Sequence, residues 1–499
     1  MTPVPGPASF AEPHATALFM AIVGVLIAVS ALFSRTFDRL GVPIVLLFLL
    51  LGMVGGSEGI GGLEFASHAV AMRLGTIALV LILFDGGLNT TIASVRQVFL
   101  PATLLATVGV AITAGVLAVA GRGLGLAWPE ALLLGAVVSS TDAAAVFAVL
   151  RGGSLHLKPR VGRTIEIESC INDPMALVLT MTMIGSLTGQ TALGWWLVLD
   201  VPAQLVIGAG VGIGMGRLGV VVLRRARLPT VGLYPALTLA LAFMAFGAAT
   251  VLHGSGIMAV YAAAVVLGNT PIPYRSGLTR IHDALAWLCQ ISMFLMFGLL
   301  VYPSELVEVA GVGVALAVLL ALVARPLAVW PCLRPFGYPA KELFYVSVIG
   351  LRGAVPIILA TFPALAGVEG AGRVFNIVFF IVVVSAVFPG ATIRPLTRRL
   401  GLDAPGPPTP SAVLEINARM PLHGDLVSFF IDQRSAVSGA RLADIEFPDG
   451  TSVVLVVRGE DVIAARGDTV LTPGDHVYLF SKPEDRAWIQ LYFGGPEET

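Results

Sequence analysis

Repeated apolar runs, each long enough to cross a bilayer, constrain this chain more than any other feature. A membrane-spanning helix needs about 20 apolar residues, and the sequence contains thirteen such runs. Soluble domains typically carry ~25% charged residues, whereas only 12% of this chain is charged. We therefore predict an all-α polytopic membrane body. The thirteen predicted spans are 16–33, 43–60, 70–90, 98–120, 130–150, 164–188, 196–222, 231–252, 255–269, 284–301, 306–328, 342–363 and 373–393.

The distribution of basic residues tests this count and gives an orientation. With the N-terminus outside, the inner loops contain 18 Lys and Arg residues, Arg325 among them, and the outer loops contain three. Cytoplasmic loops carry such an excess, so we predict an external N-terminus and a cytoplasmic C-terminal region. The first 15 residues contain no Lys or Arg, which indicates a retained helix rather than a cleaved signal peptide. A bacterial cytoplasmic membrane is the expected location.

The C-terminal region has a different composition. Residues 1–400 contain 39 charged residues, whereas the remaining 99 residues contain 22 and have a net charge of −8. We divide the chain into a membrane domain at 1–400, a Pro-rich linker at 401–412 and a cytoplasmic domain at 413–499. Short alternating runs predict a small α+β fold for the last domain, with strands at 426–431, 452–457, 462–465 and 476–480 and a helix at 483–492. The sequence contains no basic patch of the kind that would indicate a nucleic-acid partner.

Few ionisable residues remain at membrane depth once the loops are set aside, and such residues indicate function by default. They comprise five carboxylates and one guanidinium, so the acids cannot all be paired with bases. The excess negative charge calls for a cation or protons. The six residues are Asp85, Asp142, Glu166, Glu168, Asp173 and Arg352.

Two of the predicted spans carry sequences that interrupt a helix. The fifth contains Ser139-Ser140-Thr141-Asp142, and the twelfth contains two glycines and a proline around Arg352. Interrupted spans in the two halves of a transporter indicate its binding site, because freed carbonyls can coordinate a cation. In the sixth span, Ser169 and Asp173 are four residues apart and share a helix face. A hydroxyl and a carboxylate on one face favour an alkali cation.

Four motifs carry a family resemblance across nearly the whole chain. They are Phe84-Asp85-Gly86-Gly87-Leu88, the run 140–147 (STDAAAVF), the run 166–176 (EIESCINDPMA) and the run 350–355 (GLRGAV). Together they resemble NhaP-type monovalent cation–proton antiporters, and within that type the potassium–proton antiporters called cell volume regulation protein A. The segment from Arg441 to Asp475 resembles a TrkA-C module. The resemblance implies about 13 helices with inverted repeats and a homodimer.

The same resemblance implies roles for individual residues. Asp173 would bind the cation or the proton, and Asp142, Ser169 and the backbone carbonyl of Thr141 would help to coordinate the cation. Asn172 occupies the position of a second Asp in electrogenic relatives, and Asn there is associated with one-for-one exchange. Asp85, Glu168 and Arg352 would form a buried structural ion network. TrkA-C modules in relatives dimerise and can bind nucleotides, so a nucleotide is an expected ligand.

Several residues also have ordinary structural interpretations. Asp142 and Asp173 can be polar helix-packing residues, Glu166 a solvated acid near a loop, and Asn172 a hydrogen-bonding partner of a neighbouring helix. His253 and His282 are interpreted as boundary histidines in preference to pH sensors. The run 214–219 (GMGRLG) matches a dinucleotide fingerprint by letter only, and close helix packing is the favoured interpretation because no strand precedes it.

Three classes of function remain at this point. A secondary antiporter that exchanges K⁺, or Na⁺, for H⁺ by alternating access fits the buried acids, because proton and cation would compete for Asp173. A potassium channel or channel-like uptake subunit would fit the C-terminal module, but no TVGYG-type filter is found. A ligand sensor would not need thirteen spans. We predict neither an enzyme nor a cofactor; membrane lipid and the transported ions are the expected partners.

Overall fold

The computed structural model describes residues 44–493 with short gaps, together with ten residues of the first predicted span. Predictions for most of that span, for Arg35, Arg39 and Arg227, and for most of the linker therefore lie outside the described residues. The gaps are 64, 66, 152–154, 191–196, 227, 229, 231, 405–423, 433–434 and 460; the ten residues are 17, 20, 21, 24–29 and 32. The described residues fall into two compact units, one helical and one containing a β-sheet.

Helices cover each of the twelve predicted spans from 43–60 to 373–393, so the membrane-protein fold is confirmed; the count of thirteen stays a prediction. By length and composition, eight helices among the described residues can cross a membrane. The helices are α1 Ile44–Gly55, α2 His68–Asn89, α3 Ile92–Leu104, α4 Val110–Gly123, α5 Trp128–Val138, α6 Ala143–Arg151, α7 Pro159–Leu187, α8 Leu197–Arg225, α9 Leu233–Val251, α10 Gly256–Gly268, α11 Arg275–Leu300, α12 Pro303–Leu319, α13 Arg325–Leu333, α14 Ala340–Val348, α15 Ala354–Leu365 and α16 Ala371–Leu400.

One order of elements occurs twice. In α3–α7, a long helix with a π-helical segment at Leu105–Gly109 is followed by a broken helix and then by an unbroken one. In α12–α16, the π-helical segment lies at Leu320–Ala324, and again a broken and an unbroken helix follow. The two bulged helices pack against each other. This recurrence is what an internal repeat predicts, and π-helical segments are frequent near functional sites.

Close helix contacts explain the glycines that resemble a dinucleotide fingerprint. Gly216 lies in the middle of α8, and a Cβ there would be 2.8 Å from Cβ of Val266 and 2.9 Å from the carbonyl oxygen of Ala263, both on α10. Small residues let helices approach closely in lipid, where van der Waals packing drives association. The favoured interpretation is confirmed for Gly216 and Gly219, whereas a Cβ on Gly214 would meet nothing within 4 Å.

The second unit contains the predicted C-terminal α+β fold. Its antiparallel sheet has the order β3-β6-β4-β5, and the helix α17 (Arg486–Phe493) closes the core through Ile489 and Phe493. Predicted and observed strands agree within a residue or two, because turn residues separate the short apolar runs. The strands of this sheet are β3 Asp425–Phe430, β4 Ser452–Arg458, β5 Asp461–Ala464 and β6 Asp475–Ser481; β1 His156–Leu157 pairs with β2 Asp403–Ala404 in the helical unit.

An ion pair between an exposed arginine and a buried aspartate supports the turn before β6. The side chain of Arg458 donates from Nε to Oδ1 of Asp475 at 2.7 Å and from Nη2 to Oδ2 at 2.8 Å. Asp475 is 0% exposed and also accepts from the backbone N–H of Thr472 at 2.7 Å. Although burial opposes ionisation, these hydrogen bonds and the charge of Arg458 lower the pKa of Asp475 below its usual value.

Candidate functional site

Two interrupted helices meet in the helical unit. The first is interrupted between Val138 and Ala143, and the second between Val348 and Ala354. The backbone N–H of Asp142 donates to the carbonyl oxygen of Leu351 at 2.9 Å, so the two unwound segments bind each other directly. Both interruptions were predicted from the sequence and are confirmed. They place backbone polar groups where lipid alone offers no hydrogen bonds.

Small residues allow this contact. A Cβ on Gly353 would clash with Oδ2 of Asp142, and a Cβ on Gly350 would lie 2.6 Å from Nε of Arg325. These two glycines therefore leave room for a carboxylate and a guanidinium, respectively. Asp142 in turn accepts at Oδ1 from the backbone N–H of Ala145 at 3.1 Å, which caps the N-terminus of α6.

Helix α7 holds the first unwound segment through two side chains. The Ser169 hydroxyl donates to the carbonyl oxygen of Thr141 at 2.9 Å and accepts from the backbone N–H of Ala143 at 3.1 Å. The Asn172 amide donates from Nδ2 to Oγ1 of Thr141 at 2.6 Å. The structure therefore brings together the predicted residues Thr141, Ser169 and Asn172, and it aligns the Thr141 hydroxyl and carbonyl toward α7.

Asp173 lies one residue further along α7 and is only 6% exposed. Within the described part of the chain, its Oδ1 and the Oγ of Ser140 are buried and form no hydrogen bond of ordinary length and angle, although the two side chains lie near each other. Both residues line a cavity of about 50 Å³ together with Asp142 and Thr141. A water molecule needs roughly 10–15 Å³ by the same measure, so the cavity has room for a cation with part of its hydration shell. Asp142 lies close enough for its charge to act on Asp173.

Glu168 pairs with Arg325, whereas the family resemblance implied a network with Asp85 and Arg352. Arg325 contacts both carboxylate oxygens of Glu168, at 2.8 and 3.3 Å, and the two side chains are 3% and 1% exposed. The prediction that Arg325 lies in an inner loop is therefore wrong, because it occupies the first position of α13 with its charge neutralised inside the protein. Removing it from the loop count leaves 17 inner basic residues against three outer ones.

Arg352 is bound by backbone groups. Its Nε donates to the carbonyl oxygen of Val138 at 2.7 Å, and its Nη1 donates to that of Gly350 at 2.8 Å. Val138 is the last residue of α5, so the guanidinium lies at a helix C-terminus, where the macrodipole favours a positive charge. The backbone N–H of Arg352 also donates to Oγ of Ser385 on α16 at 3.2 Å.

The remaining predicted acids lie elsewhere. Asp85 is half-buried on α2, accepts at Oδ1 from the amide of Asn89 at 3.2 Å, and is near the charge of Asp283. Among the described residues its hydrogen bonds do not reach Glu168 or Arg352, so the predicted three-membered network does not form. Glu166 is also half-buried, beside Arg163.

The two histidines differ from each other. His253 is exposed in the turn after α9, as predicted for a boundary residue. His282 is instead 0% exposed within α11; its Nε2 lies 2.8 Å from Oγ1 of Thr238, and its ring packs against Phe84 at 4.9 Å. The helix extends nine residues before the predicted span and places this histidine in the interior.

Two residues of the site region were missed in the sequence. Arg325 lies near the end of a predicted apolar span, where it was read as a loop residue. Gln290 lines the cavity at Asp173 from α11. An amide in the otherwise apolar span 284–301 was the available signal for it, and this signal is weak because polar residues are tolerated at many helix contacts.

Comparison with known proteins adds to this geometry. Residues 25–399 match the family model described as "Sodium/hydrogen exchanger, transmembrane", and residues 426–494 match the TrkA-C domain. The chain is 41% identical over 470 residues to the "K(+)/H(+) antiporter NhaP" of Alkalimonas amylolytica, covering 94% of this chain and 82% of that protein. It is 38% identical to the "K(+)/H(+) antiporter NhaP2" of Shewanella sp. (strain MR-4), covering 96% and 84%.

A solved structure has a similar fold. The sodium proton antiporter MjNhaP1 from Methanocaldococcus jannaschii at pH 8 aligns with a TM-score of 0.63 and 23% sequence identity. The alignment covers 74% of this chain and 99% of that one. This likeness supports the overall arrangement of the helices.

Proposed function

The chain belongs to the transmembrane sodium/hydrogen exchanger family and is a cation/proton antiporter; on that premise we propose that it exchanges K⁺ for H⁺, one for one, at Asp173. The family match excludes the channel alternative, and the protein is not an enzyme. Relatives named as K(+)/H(+) antiporters favour K⁺ over Na⁺.

The single observation that carries the site assignment is the unpartnered oxygen of Asp173. Within the described residues this buried carboxylate has no basic partner, whereas Glu168 on the same helix has one. A buried charge without a partner is costly, so Asp173 must take up either a proton or a cation. Ser140, Thr141 and Asp142 line the same cavity, and oxygen atoms such as theirs are suitable ligands for a hard alkali cation.

Charge balance supports one-for-one exchange. A proton and an alkali cation each add one positive charge, so the site has the same net charge with either occupant. The empty site retains an extra negative charge, which opposes its passage through the low-dielectric interior. Exchange is obligatory if the carrier changes sides when it is loaded with a proton or a cation but does not change sides when it is empty. Asn172 fits this scheme because its amide stays neutral and donates to Thr141.

We further propose the arrangement of the whole chain. The basic loops favour an external N-terminus in a bacterial cytoplasmic membrane, with the membrane domain at 1–400, the linker at 401–412 and the regulatory domain at 413–499 inside the cell. The TrkA-C match at 426–494 supports a nucleotide as a regulatory ligand and a homodimer as the working form. Deleting 413–499 would test regulation: an unchanged pH profile of exchange would contradict it.

The decisive experiment measures dissipation of a pH gradient in proteoliposomes after addition of K⁺, Na⁺, Rb⁺ or Li⁺. We expect the largest response with K⁺ and no effect of the membrane potential on the rate. Asp173→Asn should abolish the response while its thermal unfolding in detergent stays close to that of the wild type. Exchange that survives this substitution would contradict the role of Asp173, and a potential-dependent rate would contradict one-for-one exchange.

A further inference from the structure

The cavity at Asp173 has two unlike walls. One wall consists of the unwound segments and α7, and it carries the hydroxyl and carboxylate groups already described. The second wall comes from α2 and α11, and it is apolar except for the side-chain amide of Gln290. The residues of this second wall are Leu79, Ile82, Leu83, Gln290 and Met293.

The Gln290 amide is available for a ligand. Among the described residues it makes no hydrogen bond, and it lines the cavity, whereas Asn172 donates its Nδ2 to Thr141, has an unpartnered Oδ1 and is not among the cavity-lining residues. A glutamine side chain offers a carbonyl oxygen as an acceptor and an NH₂ group as a donor. Removing such a group from water without a partner costs free energy, so an amide that lines a cavity is expected to bind what enters it.

Cations and protons differ in what they need from this wall. A proton on Asp173 is held by one covalent O–H bond, whereas a dehydrated alkali cation needs several oxygen atoms to replace its hydration shell. We propose that the Oε1 atom of Gln290 coordinates the cation in this cavity together with Asp173. Gln290 thereby strengthens cation binding without strengthening proton binding, which sets the balance between the two exchanged ions. This inference rests on the proposed function, because it takes Asp173 as the binding carboxylate.

The test uses two variants and a control from the same wall. Gln290→Leu removes the oxygen at similar volume, Gln290→Glu keeps an oxygen at the same reach, and Met293→Leu changes a neighbour that offers no oxygen. The measured quantity is the K⁺ concentration that gives half-maximal dissipation of a pH gradient in proteoliposomes. Because one oxygen ligand of the cation is lost, Gln290→Leu should raise this concentration by about 5–10-fold and change the maximal rate less than about twofold.

The pH profile gives a second readout that a purely structural role would not change. With cation binding weakened and proton binding intact, protons compete better in Gln290→Leu at a fixed K⁺ concentration. The acid limb of its activity profile should therefore move to higher pH, and saturating K⁺ should restore it. Met293→Leu should keep the half-saturating K⁺ concentration within about twofold of the wild-type value. Gln290→Glu should keep it within the same range or lower it.

Several outcomes would overturn the inference. The first is a wild-type half-saturating K⁺ concentration in Gln290→Leu. The second is an increase of the same size in Met293→Leu, and the third is a loss of cation affinity in Gln290→Glu. If Gln290→Leu does not fold, Gln290→Asn, which withdraws the oxygen by one methylene, must show an intermediate increase. An inactive wild type, or an active Asp173→Asn, would instead contradict the proposed function itself, so the two failures are distinguishable.

Discussion

Glu168 and Asp173 lie five residues apart on α7, and both are nearly inaccessible, with 1% and 6% exposure. Glu168 forms two hydrogen bonds with Arg325. Asp173 faces a cavity and, within the described residues, leaves an oxygen without a partner. The two acids share residue chemistry, helix and burial. They differ in their partners. An acid with a permanent counter-ion has a structural role, whereas a buried acid without one is available to bind an exchangeable ion.

The largest expected effect comes from breaking the pair. Glu168→Gln leaves the Arg325 guanidinium buried without a counter-ion, and such a loss typically costs about 3–5 kcal/mol. We therefore expect a strong decrease in the thermal stability of the detergent-solubilised protein. Asp173→Asn is the matched control, and it should cost far less because no buried base loses a partner. Equal stability of the two variants would contradict the distinction between these acids.

A double-mutant cycle sharpens the same test. Glu168→Gln combined with Arg325→Met should recover much of the lost stability, because both charges are then removed. Glu168→Gln combined with Arg352→Met should show no such recovery, since Arg352 donates to the carbonyls of Val138 and Gly350. Coupling of Glu168 to Arg352 that exceeds its coupling to Arg325 would contradict the observed pairing.

The sequence predicted where the helices break but not which charges pair. Hydroxyls and Asp142 in one apolar span, and glycines with Pro356 in another, conflict locally with a continuous helix, so the interruptions could be predicted from local chemistry. The partner of Glu168 is 157 residues away in the chain, and no local periodicity encodes that contact. Arg325 was also misplaced, because it was counted with the loop residues although it lies inside the predicted span 306–328.

Element boundaries show the same limit. The helix α11 begins at Arg275, whereas the predicted span begins at 284. Arg280 and Asp283 lower the hydropathy of these additional turns, but a helix does not have to end at the edge of its apolar stretch. As a result His282, treated as a boundary residue, is buried against Phe84. The β-sheet unit was predicted more accurately because its short apolar strands are separated by turn residues.

A smaller effect is expected where the two unwound segments touch. In Gly353→Ala the new methyl group would meet the Asp142 carboxylate, and overpacking of this kind costs about 1–3 kcal/mol. Displacing a carboxylate of the cavity should also slow exchange by about tenfold or more. Gly372→Ala is the control, because a Cβ there meets nothing within 4 Å. Proteoliposome exchange and thermal unfolding should change only in the first variant; unaltered exchange in Gly353→Ala would mean that Asp142 moves without consequence.

The smallest effect extends the comparison to a buried acid outside the membrane. Asp475, like Glu168, has an arginine partner, and its pKa is lowered in the folded state. A lowered pKa adds stability above the unfolded value of ~3.9, and this stability is lost as the pH falls through the folded pKa. Hydrogen exchange across 424–493 in the full-length protein, corrected for intrinsic rates, should therefore accelerate below about pH 4. Asp475→Asn should be less protected at pH 7 and show a weaker dependence on pH. A variant that keeps the wild-type pH dependence would show that Asp475 does not stabilise its domain as Glu168 stabilises the helical unit.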